Sequence, residues 1–113
     1  MASLNEPTAT IANGASLSGA IKFGNRRLAR IDMPAAWTAA DLTFQGSVDG
    51  TTFSDLYDAD GNEYTIQADA SRCIIVALND FIGLPYIKIR SGTSAAAVNQ
   101  SGTRTITLGL VPL

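Results

Sequence analysis

Apolar side chains recur at every second position in three stretches of the chain, the period of a strand with one buried face. Leu42, Phe44, Gly46 and Val48 alternate with Thr43, Gln45 and Ser47. Ile87 and Ile89 alternate with Tyr86, Lys88 and Arg90, and Ile106, Leu108 and Leu110 with Thr105 and Thr107. Each stretch predicts a strand whose first-named residues face the core. Residues 72–78 differ: Cys73, Ile74, Ile75 and Val76 form an unbroken apolar run, which predicts a central strand covered on both faces, with Cys73 packed as a small apolar residue.

Turn chemistry separates these runs. Gly24-Asn25 divides a strand at 20–23 from one at 28–33, and Pro34 ends the latter because proline fixes φ and lacks the ladder donor. Residues 35–40 suggest one loose helical turn, with Trp37 as a large apolar anchor. Asp49-Gly50 predicts a tight hairpin turn, after which Phe53 and Leu56 resume the apolar face. A second turn at 58–62 leads to a strand at 63–67, and 79–84 reads as a loop whose Phe81 and Ile82 cap the core. Seven to eight short strands with frequent turns predict an all-β protein, an antiparallel sandwich or jelly roll, with a small closed barrel as the alternative. Residues 1–18 lack either periodicity and read as an extended or flexible N-terminal arm, leaving 19–113 as a single sandwich domain.

Composition reinforces the β assignment. Helix-favouring Glu and Lys are reduced to Glu6, Glu63, Lys22 and Lys88, while Thr, Ser, Gly and Ala abound. With 113 residues the chain suits one core, and its single cysteine excludes an internal disulfide. A net charge of −2 gives no general attraction to nucleic acid or to an anionic membrane. The N-terminal residues carry no secretory pattern, and no run is long enough to span a bilayer, so synthesis in the cytoplasm is expected.

The candidate chemistry is sparse. There is no histidine, which removes the usual general base and the commonest metal ligand. Asp49, Asp55, Asp58, Asp60 and Glu63 crowd two neighbouring turns, but aspartate is also favoured in turns for its local backbone hydrogen bonds. Asp58, Asp60, Asn62 and Glu63 invite a calcium reading, yet the spacing departs from an EF-hand loop. The expectation is no catalytic residue, no metal and no cofactor. Arg26, Arg27 and Arg30, with Lys22 nearby, form the one basic cluster, suited either to solvated strand charge or to docking on an acidic protein surface.

Two segments carry a resemblance. The succession RLARIDMPAAWTAADLTFQGSVDGTTFSDLYDADGNE, then YIKIRSGTSAAAVNQSGTRTITLGLVP, resembles small structural proteins of tailed bacteriophages, in the broad style of galactose-binding-like or discoidin-like β-sandwiches. The resemblance implies a virion component, foremost a capsid cement or decoration protein on the major capsid protein at the shell surface, with a homotrimer as the natural symmetry. Contacts would then fall on Pro7, Ile11 and Leu17 of the arm, on Arg26, Arg27 and Arg30, and on Ala95, Ala96 and Ala97 of the 91–100 loop. The competing expectation is a tail or fibre module that binds a host glycan, with Trp37, Tyr57, Tyr64 and Tyr86 as stacking candidates.

Overall fold

The computed structural model describes residues 5–113. Eight strands follow one another: β1 (Thr8–Ile11), β2 (Ile21–Lys22), β3 (Arg26–Asp32), β4 (Leu42–Ser47), β5 (Ser54–Asp55), β6 (Cys73–Ile75), β7 (Tyr86–Ser91) and β8 (Arg104–Pro112). They form two four-stranded antiparallel sheets, ordered β1-β8-β3-β6 and β2-β7-β4-β5. First pairs with last, second with second-last, third with sixth and fourth with fifth, so the chain is a long antiparallel ribbon rolled upon itself. This is the jelly-roll wrap, and the all-β sandwich expected from the patterning is the fold observed.

The alternating stretches deliver the core. Leu42 and Phe44 of β4 with Ile87 and Ile89 of β7 from one sheet, and Ile106, Leu108 and Leu110 of β8 with Leu28 and Ile31 of β3 from the other, are all fully buried. Phe81 sits at the centre of an aromatic cluster. Its ring lies 5.2 Å from Phe44, 5.3 Å from Tyr64 and 6.3 Å from Phe23, in edge-on or tilted arrangements that suit the quadrupoles of the rings. The 79–84 loop thus caps the core through Phe81, while Ile82 stays exposed.

Four local readings are corrected. Val48, placed inward by alternation, is 83% exposed, because β4 ends at Ser47 and the chain turns away. The connection to β5 is a six-residue loop, 48–53, rather than a two-residue hairpin turn. Gly50 still takes the left-handed backbone, at φ 77°. Residues 35–40 form bends without a helix, tied by the Trp37 indole N–H donating to the Ala40 carbonyl at 3.1 Å. The 63–67 segment contributes isolated bridges, Tyr57 with Glu63 and Leu42 with Ile66, instead of a full strand.

A fifth correction is the largest. The run 72–78 is not a central strand: among the described residues β6 is three residues long, lies at the edge of its sheet and pairs only with β3. Cys73 is exposed and Ile75 is 89% exposed, while Ile74 packs against the core and Val76 is buried. Local hydrophobicity announced burial, but the roll leaves this strand's outer face uncovered.

The segment read as an arm is extended, and part of it belongs to the sandwich. Thr8–Ile11 pairs along β8 from Thr107 to Arg104, and the side chains of Ala9 and Ile11 are buried in this chain's own core. Residues 1–4 of the anticipated arm lie outside the described residues.

Candidate functional site

The densest polar construction lies at one end of the second sheet. Arg90 on β7 is 7% exposed, although strand alternation placed it outward. Its guanidinium pairs with the carboxylates of Asp55 on β5 and of Glu63 in the following turn, the latter at 3.3 Å, and donates to the Thr43 hydroxyl on β4 at 3.3 Å. Glu63 in turn accepts from the Ser94 backbone N–H at 3.2 Å, tying down the 91–97 loop. The Thr43 hydroxyl donates to the Gly92 carbonyl at 2.7 Å. A planar, five-donor guanidinium suits a position that must satisfy two carboxylates and a hydroxyl at once. Sequence periodicity hid this residue, since an ionisable side chain on an alternating strand reads as solvent-facing. The partner carboxylates 35 and 27 positions away leave no local signal.

A second polar knot centres on Gln100, which is 1% exposed. Its amide donates to the Thr38 carbonyl at 2.9 Å and to the Ser91 hydroxyl at 2.7 Å. Its carbonyl oxygen accepts from the Thr38 N–H at 2.8 Å and the Arg104 Nε at 3.1 Å. Its backbone holds the N-terminal segment, with Gly14 N–H donating to it at 2.8 Å and its own N–H donating to Ala15 at 2.9 Å. A buried amide with both donors and its acceptor engaged is a structural tie.

Beside the Arg90 network runs a groove of about 370 Å³. Leu56 and Leu84 contribute apolar wall, Val48 the rim, and Asp49 and Asp55 carboxylates. The Asp49 carboxylate accepts from the N–H groups of Thr51 at 2.8 Å and Thr52 at 3.0 Å and from the Ser47 hydroxyl at 2.9 Å, and these bonds hold its pKa below the usual carboxylate range. Asp55 is likewise lowered, first by Arg90 and then by Gln45. Both are held as anions, the opposite of the raised carboxyl that a carboxylate acid–base pair needs for its proton donor.

In the second turn the Asp58 carboxylate accepts from the N–H groups of Asp60 at 2.9 Å and Asn62 at 3.0 Å. Asp58 therefore closes its own turn. Glu63, the fourth oxygen donor of the calcium reading, points to Arg90 and Ser94.

The anticipated contact residues are dispersed. Ile11 is wholly buried and unavailable to a partner, which corrects its assignment. Leu17 bridges to Arg90 across the backbone, and the Pro7 carbonyl accepts from Leu108 N–H at 2.9 Å. Arg26 and Arg27 lie in β3 opposite Pro112 and Val111, half-buried, rather than in a turn. Arg30 is bound to Glu6 and, at 2.8 Å, to Asp32. Ala95, Ala96 and Ala97 are exposed in the 91–97 loop. Of the aromatics proposed for sugar stacking, Trp37 and Tyr64 pack against the core. Burial and the hydrogen bond to Asp80 at 2.7 Å raise the Tyr64 pKa. Tyr86 lies beneath Gly50, and Tyr57 is 53% exposed. Cys73 stands near Asp32, whose carboxylate raises the thiol pKa by holding its proton.

No protein-family model matches the chain, and no curated protein matches it. Among solved structures, the Yersinia pseudotuberculosis-derived mitogen YPM aligns over 100% of this chain and 88% of its own, at 19% identity and a TM-score of 0.39. A likeness at that level carries no argument about function.

Proposed function

We propose that this chain is a structural protein of a phage virion, a cement or decoration module that binds the major capsid protein and adds interface across the shell. The phage resemblance of the sequence motivates the reading. The observation that carries it is how the side chains are employed: buried and clustered polar groups such as Arg90, Glu63, Gln100 and Asp58 are bonded within the chain, while large apolar side chains stand in solvent. Ile75 is 89% exposed, and Leu78 and Ile82, in the segment after β6, are each nearly half exposed. A module whose polar clusters around Arg90 and Gln100 serve its own scaffold and whose surface retains aliphatic side chains is suited to packing on another protein. Such binding stabilises a shell by mass action, because the bound state must be dissociated before the shell opens.

The test mixes purified protein with phage heads that lack it and measures co-sedimentation and the temperature of head rupture. Saturable occupancy at a fixed ratio to the major capsid protein, with a raised rupture temperature, supports the proposal. Failure to bind heads, together with saturable binding to host-cell polysaccharide, overturns it in favour of a glycan-binding tail module.

A further inference from the structure

The open edge of β6 has a hydrogen-bonding pattern of its own. Met33 N–H donates to the Arg72 carbonyl at 2.8 Å, and Val76 N–H to the Ala29 carbonyl at 3.0 Å. With the register Ile31 opposite Ile74, the even-numbered residues 72, 74 and 76 therefore turn their backbone groups toward β3. Cys73 and Ile75 turn theirs the other way. No described residue pairs with that side of the strand.

We propose that this edge pairs with the β6 edge of a second copy of the chain, antiparallel and about a two-fold axis centred on Ile74. That register sets Cys73 opposite Ile75 of the second copy, and Ile75 opposite Cys73. All four outward backbone groups of the strand are then bonded by their own equivalents, and the two four-stranded sheets join into one. Shifting the centre to Cys73 would instead set Ile75 opposite Ser71, where the strand has already ended and the backbone takes a positive φ of 61°. The proposed register opposes no like charges: Arg72 faces Val76. On the outer face, the exposed Ile75 covers Cys73 of the other copy. On the inner face Ile74 meets Ile74 at a non-hydrogen-bonded position, where side chains lie closest. Edge strands that are left open are commonly defended by charge, proline or a bulge. Here the three residues are Cys, Ile and Ile.

A second copy is favoured over an unrelated strand because the segment is complementary to itself under two-fold symmetry. The contact is small beside the ~1,200 Å² of a standard interface, so the dimer is expected to be weak and reversible, with Kd of about 10 μM or higher. The inference does not depend on the virion reading.

The experiment combines sedimentation equilibrium with directed crosslinking of the full chain. A concentration-dependent monomer–dimer equilibrium is expected for the native protein. Ile75→Lys should weaken it at least tenfold while leaving the melting temperature of the dilute monomer unchanged, since this side chain is almost fully in solvent. Ile75→Cys, mildly oxidised, should give a covalent dimer joined through residues 73 and 75. In this register the two native Cys73 residues stand roughly 8–9 Å apart, the combined offset of one ladder spacing and two residues along the strand. That is beyond disulfide reach, so oxidised native protein should stay monomeric on a denaturing gel. A native protein that remains monomeric at millimolar concentration, a trimer, or a dominant Cys73–Cys73 bridge would each overturn the proposal.

Discussion

Arg90 shows how a single residue can organise a sheet end that its local sequence does not reveal. It is the cation between Asp55 and Glu63, and only its presence makes that pair of anions tolerable at a partly buried site. Removing it leaves two carboxylates facing each other with the Thr43 hydroxyl. Arg90→Ala is therefore expected to destabilise the fold by about 3 kcal/mol, at the low end for breaking a buried pair because Asp55 retains some water. Denaturant unfolding of the two proteins checks this, and a loss below about 1 kcal/mol would show that the network contributes little. The alternation of β7 was legible for Ile87 and Ile89 because burial of aliphatics is a local pattern. It was not legible for Arg90, because pairing with Asp55 and Glu63 depends on where the roll places other strands.

At the scale of elements, the turns divide into those that need glycine for backbone alone and those that also need its missing side chain. Gly61, at φ 85°, has open space where a Cβ would go, whereas at Gly92, φ 88°, a Cβ would lie 2.6 Å from the Ala96 carbonyl and 2.7 Å from the Val98 nitrogen. Gly61→Ala should cost about 1 kcal/mol, the penalty of a left-handed backbone for an L-residue. Gly92→Ala should cost clearly more, since the obstruction is backbone in a loop pinned by Glu63 and Thr43. Comparing the two melting temperatures tests the distinction, and equal losses would contradict it. Gly50 was readable from Asp49-Gly50, a familiar turn signal. Gly92 was not, because its constraint comes from how tightly the 91–98 loop closes on its own backbone. The misreading of β6 has a similar origin: Ile74, Ile75 and Val76 look alike in sequence, and only strand order separates the covered from the uncovered.

For the whole molecule, the rolled ribbon makes residues near the two ends of the chain mutually dependent. Ile11 is buried between the sheets and Thr8–Ile11 covers one flank of β8, so a variant lacking residues 1–11 should lose much of its stability and expose the edge of a nine-residue strand. Thermal unfolding and light scattering of that variant measure both effects, and unchanged melting would refute the structural role given to β1. An all-β sandwich of seven to eight strands could be inferred from periodicity and turns, whereas the membership of β1 could not, because Thr8–Ile11 is a short signal inside a polar stretch. Asn5 and Leu110 exchange backbone hydrogen bonds at 3.1 and 2.8 Å, so the polypeptide enters and leaves the roll at the same place. A body with adjacent entry and exit can be spliced into a surface loop of another protein without stretching its host, or reopened elsewhere by joining its ends.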